Sequence, residues 1–326
     1  MPRDPRPAAA PLELSVIIPC YNAAGTLPQT LASLFDQSGA GRFEVIVADN
    51  GSTDGLQEVL EASTPPSFVD LRLVDASARR GAAYARNVGA ATARSDRLAF
   101  CDADDVVSVW WVKHILMAFE ETELWSGSAV ATPERAFSRS VAEVRALIWE
   151  EDIWKGLSDE QLDAPFPVLM GGNCGMTADV FRRIGGFDAA APEGGEDNEF
   201  ALRASRLGYP IHVVPSIRIA YRQREEPRAL RALARRSAIA HARLARQYGL
   251  AGRSPYGHWA VCCLRTAASL HRVVRVPAPE RGTALEQWRL RWASAVGLAI
   301  GRFTPRRRRD LAIGAGFDAQ PPAARR

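Results

Sequence analysis

Between residues 13 and 101 short apolar runs alternate with segments of helical periodicity, and that alternation restricts the fold more than any other feature of the chain. The runs ELSVIIP at 13–19, FEVIVA at 43–48, and those at 69–74 and 98–101 read as strands. Continuous β-branched stretches bounded by Pro, Gly and polar residues suit strands covered on both faces. Between them, Leu27, Leu31, Leu34 and Phe35 recur at helical spacing, with Thr26 as cap and Pro28 in the first turn. Shorter helices are expected over 56–62 and 81–92. Such alternation predicts an α/β fold with a mostly parallel sheet, helices on both faces, and ligands beyond the carboxyl ends of the strands.

The polar clusters all fall at that edge. Asp49 and Asn50 end the second strand, residues 79–87 follow the third, and Asp102, Ala103, Asp104 and Asp105 end the fourth. An acidic turn alone is either a solvated loop or a cation site. Hard carboxylate oxygens suit Mg2+ or Mn2+, and Mg2+ takes one or two of them beside waters and substrate phosphate oxygens. The neighbouring clusters are complementary to a nucleotide: Asp49 or Asn50 for the edge of a base, Arg86 for its phosphates. No G-x-G-x-x-G follows the first strand and no Walker A is present, while Gly314-Ala315-Gly316 follows no strand.

Further along, helices are expected over 109–121, 139–154 and 178–184, with a strand near 129–131. Gly171, Gly172 and Asn173 lie in a Gly-rich segment, which either brings backbone close to a ligand or makes a tight turn. Glu196 and Asp197 open a helix that ends at Gly208. First-turn acids either complement the helix dipole or supply a base for proton transfer.

SVIIPCYNAAGTLPQTLASL, EVIVADNGSTDG, RRGAAYARNVGAATA and LAFCDADD, in that order, resemble the successive signatures of glycosyltransferase family 2, with its GT-A fold. The resemblance covers residues 14–222 and implies an inverting, metal-dependent transfer of a sugar from a nucleoside-diphosphate sugar to a hydroxyl acceptor. Pro19, Tyr21, Asp49, Asn50, Arg86, Asp102 and Ala103 would line the nucleotide-sugar site. Asp102 and Asp104 would be the family's D-x-D, with Asp104 ligating the Mg2+ or Mn2+. GGFDAAAPEGGEDNEFALRASRLGYPI resembles the acceptor-side motif, which makes Asp197 the base and Glu196 its support, with Gly171, Gly172 and Asn173 on the acceptor side. Asn50 stands where many members have Asp. The family often places a His or Arg near residues 211–221; Arg218 and Arg222 are present, the His position is read as vacant, and a third protein ligand to the metal is left open.

The organisation expected is a disordered lead-in over 1–12, a transferase domain over 13–225 divided near 105, and a basic helical extension over 226–326. Residues 221–326 hold 22 arginines and 6 acids, an excess of +16, while residues 1–220 carry −12. Helices expected over 227–248, 256–274 and 285–303 carry cationic faces, and the closing GFDAQPPAARR is expected to be disordered. Such a tail is either a solvated bundle or a surface that docks on an anionic membrane. Trp288, Trp292, Leu298, Ile300 and Arg306 to Arg309 are the residues expected to dock. No window is apolar enough to span a bilayer. Five cysteines without paired spacing and no signal-like N-terminus predict a cytoplasmic protein, the basic tail would bring it to the inner face of the membrane, and the family resemblance implies cell-envelope polysaccharide synthesis.

Two rival readings differ in what they require. A nucleotidyltransferase of sugar phosphates needs a Gly-rich basic loop after the first strand, and CYNAAG is not one. A non-catalytic membrane- or nucleic-acid-binding protein would act through the basic tail alone. The two acidic clusters speak against nucleic acid as partner, since they repel phosphate without a metal.

Overall fold

The computed structural model describes residues 11–148, 151–158, 167–190, 194–250, 258–304 and 313–317. Its first half follows the alternation. Strands β1 (Leu14–Cys20), β2 (Phe43–Asp49), β3 (Val69–Asp75) and β4 (Arg97–Cys101) are linked through helices α1 (Leu27–Phe35), α2 (Leu56–Glu61) and α3 (Ala82–Ala91). The strands lie parallel in the order β3-β2-β1-β4. Register is even: Cys20 pairs with Asp49 and Asp49 with Asp75, so the carboxyl ends of three strands finish level. Leu14, Val16, Ile17 and Ile18 of β1 are inaccessible, as a strand between two helical layers requires.

Beyond β4 the sheet becomes mixed. Four more strands, β5 (Val106–Val107), β6 (Leu124–Pro133), β7 (Asn173–Thr177) and β8 (His212–Gln223), complete the order β3-β2-β1-β4-β7-β6-β8-β5. β7 runs antiparallel to both β4 and β6, while β6 and β8 are parallel. Gly175 permits this close approach: a Cβ there would stand 2.3 Å from the Trp125 ring and 2.7 Å from the Leu98 carbonyl. The expected strand at 129–131 is thus the far part of the longer β6.

Helices α4 (Trp111–Glu121), α5 (Val141–Arg145), α6 (Ala178–Ile184) and α7 (Glu196–Arg206) cover this half. The long helix expected over 139–154 is corrected. Among the described residues of that range only α5 and a 3-10 turn at Ala146–Ile148 form, and residues 151–157 are irregular, with Ser158 bridging to Val213. Arg145 explains the early stop, because its guanidinium turns inward to the carbonyls of Val107, Ser33 and Asp36 and to the Asp36 carboxylate.

The C-terminal part contains α8 (Pro227–Gln247), α9 (Trp259–Ala268), α10 (Leu270–Arg275) and α11 (Arg281–Phe303). α9 and α10 replace the single helix expected over 256–274, with the break at Ser269. α11 lies on α8 through Gly297 and Gly301, whose Cβ atoms would reach 2.5 and 2.6 Å from the Arg235 and Ile239 carbonyls. Leu298 is buried, which removes it from the docking surface expected of it, while the partly exposed Trp288 indole stacks on Trp292 and donates to the Thr266 carbonyl. Residues 306–309 lie outside the described residues. No described helix is long and apolar enough to cross a membrane.

Residues 313–317 return to the transferase domain, which corrects the expectation of disorder for Gly316 and Phe317. Ile313 bridges to Asp188, the Gly314 amide donates to the Phe187 carbonyl, and the Phe317 ring meets Phe181 edge-on at 5.1 Å. The remainder of the closing segment, like residues 1–10 of the lead-in, lies outside the described residues.

The tight seam at Gly175 is testable. Gly175→Ala must displace either the Trp125 ring or a backbone carbonyl, at about 1–3 kcal/mol. The expected outcome is a lower midpoint of urea unfolding; an unchanged midpoint would show that the seam has slack.

Candidate active site

At the level edge of the sheet, the turn after β1 is fastened to the turn after β2. The Asn22 and Ala24 amides donate to Ser52 Oγ and Asp54 Oδ2, and Asn22 Oδ1 accepts from the Thr53 amide. Asn22 adopts a left-handed φ of 50°, which Asn tolerates better than most residues. Pro19 ends β1 half-buried, paired with Ala48. Tyr21 is exposed, with the Arg80 guanidinium 4.1 Å above its ring. Asp49 accepts the Ser52 amide through Oδ1.

Asn50 is placed differently from the base-edge role expected of it. It is buried, and its amide is spent on the chain: Nδ2 donates to the Ala76 and Arg79 carbonyls, and Oδ1 accepts the Gly81 amide. The residue shapes the loop that leads into α3, leaving Asp49 as the side chain beside the cleft.

From α3 comes the centre of the site. Arg86 is buried, donating Nη1 to Glu196 Oε1 at 2.8 Å and Nη2 to Asp102 Oδ1 at 2.7 Å. Burial works against its charge, but Asp102 and Glu196 outweigh it and hold the guanidinium more firmly protonated than usual. Three elements therefore meet at one cation: α3, the end of β4 and the start of α7.

Asp102 and Asp104 leave β4 around the buried Ala103. The Asp104 carboxyl is pushed up by burial and by Asp102, against the opposing pull of Arg222 and Arg224. Gly172 gives Asp102 its room, since a Cβ there would stand 2.4 Å from Oδ2. Asp102, with Oδ2 left over by Arg86, and Asp104 are hard oxygen donors that fit Mg2+ or Mn2+, whose shell is completed by water and phosphate oxygens. Among the described residues no group of three His, Cys, Asp or Glu side chains gathers as a self-sufficient metal cage. In the region of the expected His, Arg222 donates Nε to the Asp104 carbonyl and its amide to Asp105 Oδ1. Asp105 is buried, and its carboxyl is raised by burial and then by Asp102 and Asp104. It is part of the framework rather than the cleft.

Across the cleft, Asp197 sits in the first turn of α7. Its Oδ1 accepts the Asn198 amide at 2.7 Å and its Oδ2 the Gly171 amide at 3.4 Å. Burial first, and Glu196 second, push its carboxyl up from 3.8 to about 6, against Arg86 and the two amides. A carboxylate held there is poised to take a proton near neutral pH. Gly171 and Gly172 thus touch both acids. Asn173 lies beneath the cleft rather than on its acceptor side. It is wholly buried, accepting Trp111 Nε1 and donating to the Ser128 and Ile217 carbonyls.

A cavity of about 870 Å3 joins Arg86, Asp102, Gly172, Glu196 and Asp197. Its far wall is a surprise. Leu233, Arg236, Ser237, Ala240, His241 and Leu244 of α8 line it, opposite Arg79 and Arg80. No motif marks these residues. The available signal was the i, i+3, i+4, i+7 spacing of Leu233, Arg236, Ser237 and Ala240, which puts them on one helix face.

Comparison with known proteins gives the family and the fold. The family model described as glycosyl transferase family 2 matches residues 15–185, and one described as the N-terminal domain of galactosyltransferase matches residues 154–226. A chondroitin synthase of Escherichia coli is 27% identical over 227 residues, covering 60% of this chain and 32% of that protein. A validoxylamine A glucosyltransferase of Streptomyces hygroscopicus is 29% identical over 228 residues, covering 61% and 53%. The chain thus spans about a third to a half of these relatives. Among solved structures, the mannosyltransferase PcManGT from Pyrobaculum calidifontis, in complex with GDP-Man and Mn2+, aligns with a TM-score of 0.58 at 20% identity. The alignment covers 90% of this chain and 88% of that one, and supports a common fold.

The raised Asp197 carboxyl has a cost in stability with a defined sign. Its folded value lies above 3.8, so folding disfavours the ionised form. That cost is absent below about pH 4, grows as the pH rises, and is complete above about pH 7. Asp197→Asn should therefore melt at a higher temperature than the parent above about pH 7, and at the same temperature below about pH 4. A calorimetric scan at the two pH values checks this; an equal gap at both would assign the effect to packing.

Proposed function

Because the chain belongs to glycosyl transferase family 2, we propose that this glycosyltransferase takes a nucleoside-diphosphate sugar at the β1–β4 edge and moves the sugar, with inversion, to a hydroxyl acceptor activated by Asp197. The observation that carries the reading is the pair of acidic groups on opposite sides of one cleft, held in register by Arg86. Tyr21 and Asp49 bound the nucleoside side. Asp102 and Asp104 face the diphosphate, where Mg2+ or Mn2+ would neutralise the charge that develops on the leaving group. Arg86 holds Asp102 and Glu196 in place through one hydrogen bond to each. Asp197 removes the acceptor proton as the hydroxyl attacks the anomeric carbon from the face opposite the diphosphate; that approach inverts the centre. PcManGT in complex with GDP-Man and Mn2+, and the chondroitin synthase among the relatives, support a nucleotide sugar as donor and a glycan as acceptor; a lipid-linked glycan is the other acceptor proposed.

Docking on an anionic membrane is the second part of the proposal, and the surface differs from the one the sequence suggested. On α9 and α10, Leu264 is 70% and Val274 is 68% exposed, Val261 and Leu270 are also exposed, and α9 buries none of its residues. Arg265, Arg272 and Arg275 rise from the same two helices. Exposed aliphatic side chains flanked by arginines match an anionic leaflet, where each cation contributes about 1 kcal/mol.

Two experiments test these readings. In a screen of nucleotide sugars with Mn2+ or Mg2+, nucleoside diphosphate should be released, and excess EDTA or Asp104→Ala should nearly abolish release. Asp197→Asn should cut transfer by about 100-fold to 10,000-fold with donor affinity nearly intact. Full activity in EDTA, or a parallel loss of donor binding in Asp197→Asn, would overturn the assignment. For the membrane, the protein should co-sediment with anionic but not neutral vesicles at low salt, and the double variant Leu264→Ser, Val274→Ser should lose this. Equal behaviour of parent and variant would return α9 and α10 to a solvated surface.

A further inference from the structure

The far wall of the cleft carries more positive charge than donor binding and proton transfer use. Four guanidinium groups line the cavity, those of Arg79, Arg80, Arg86 and Arg236, against the carboxylates of Asp102, Glu196 and Asp197. Arg86 already satisfies Asp102 and Glu196. Arg79, Arg80 and Arg236 form no ion pair with a described carboxylate. Arg80 lies over the Tyr21 ring, so among the described residues Arg79 and Arg236 are the lining cations without a partner group, and Asp197 is the lining carboxylate that Arg86 does not pair.

The position of α8 says which substrate meets them. Ala240 and Leu244 rest on Gly195, whose Cβ would come 3.1 Å from the Ala240 Cβ, immediately before Glu196 and Asp197. Arg236 and Ser237 lie one turn earlier on the same face of α8, and both line the cavity. The Tyr248 hydroxyl, just past the end of α8, donates to Glu199 of α7, and Arg206 of α7 lies 4.4 Å over the Tyr248 ring. α8 is therefore fixed to the helix that bears the base, on the side away from Asp104, which does not line this cavity.

We propose that the Arg236 and Ser237 face of α8, together with Arg79 and Arg80, is an acceptor subsite for a sugar carrying an anionic group, carboxylate or phosphate, near its reacting hydroxyl. This rests on the assignment of Asp197 as base. A planar guanidinium binds either oxyanion in a bidentate, charge-assisted pair, and a neutral sugar gains no such pair from it. Anchoring the anion on α8 would hold the neighbouring hydroxyl at Asp197, so the charge on the acceptor acts in orientation as well as affinity.

The test uses the full chain and three probes: p-nitrophenyl glucuronide for a carboxylate, glucose 6-phosphate for a phosphate, and p-nitrophenyl glucoside as the neutral control. Each is titrated by calorimetry against the protein, and each is added to donor hydrolysis, where it either accepts the sugar or competes with water. At least one anionic sugar should bind and act at a concentration about tenfold lower than the neutral one, a difference of about 1.4 kcal/mol. Which anionic sugar does so identifies the source of the charge. Arg236→Gln should remove most of that ratio and Arg236→Lys should retain part of it. Arg235→Gln, which lies toward α11 beside Trp292, should retain it all. Equal action of charged and neutral sugars overturns the proposal, as does no binding of any of them. A ratio unchanged in Arg236→Gln, with a raised KM for the donor, assigns the residue to the donor instead. Absence of donor hydrolysis counts against the base assignment alone, since the calorimetric ratio is read without turnover.

Discussion

A buried guanidinium is tolerated only when its charge is met, and Arg86 is met from two directions. Taking an ion out of water costs several kcal/mol, which only close and well-oriented counter-charges offset. Asp102 and Glu196 provide them at 2.7 and 2.8 Å. The consequence is mechanical as well as electrical, because α3, the end of β4 and the start of α7 cannot separate without exposing an unpaired charge in a dry cleft. The surrounding residues permit the approach. Ala83, Ala85 and Gly89 leave α3 a thin face, and a Cβ on Gly89 would stand 2.5 Å from Ile17 Cγ2. The two acidic walls of the cleft are therefore tied together at this point.

Where local pattern and tertiary environment agree, the sequence is readable. β1 to β4 and the helices between them are such a case, since β-branched runs buried on both faces look alike in sequence and in the sheet. β7 is the opposite case. Its sequence, NCGMT, has no alternation and only Thr177 as a β-branched residue, and it is seated as a strand where Gly175 lets Trp125 lie across it and Asn173 ties it to Trp111 and β8. Asn50 and Asn173 show the same limit from another side. A polar residue at a strand end reads equally as a ligand contact or as a buried tie, and only the positions of neighbouring carbonyls decide between them.

Charge is similarly ambiguous. Glu44 interrupts an apolar strand and is wholly buried, yet it is met by Ser15, Arg72 and Arg94, all from neighbouring strands and loops. The arginines of α8 read as a uniform solvated face, but the helix divides its sides. Arg231 meets Glu286 of α11 while Arg236 faces the cleft, five residues and about 500° of helical turn apart. A helix with small residues at Ala238 and Ala240 and arginines elsewhere can serve two neighbours at once, and nothing in its periodicity says which face meets which.

The return of residues 313–317 beneath Phe187 has a consequence in time. Phe317 joins the ring cluster of Phe100, Phe181, Phe187 and Phe200, and the Asn87 side chain, next to Arg86, donates to both the Phe187 and Ala315 carbonyls. Chains are made from the N-terminus at about 5–20 residues per second, and early segments begin to fold before later ones exist. The sheet can therefore assemble on the ribosome, but the support under α3 and the loop before α7 is missing until residue 317 has emerged. Completion of the site therefore waits for residue 317, long after Arg86 and the sheet have been made.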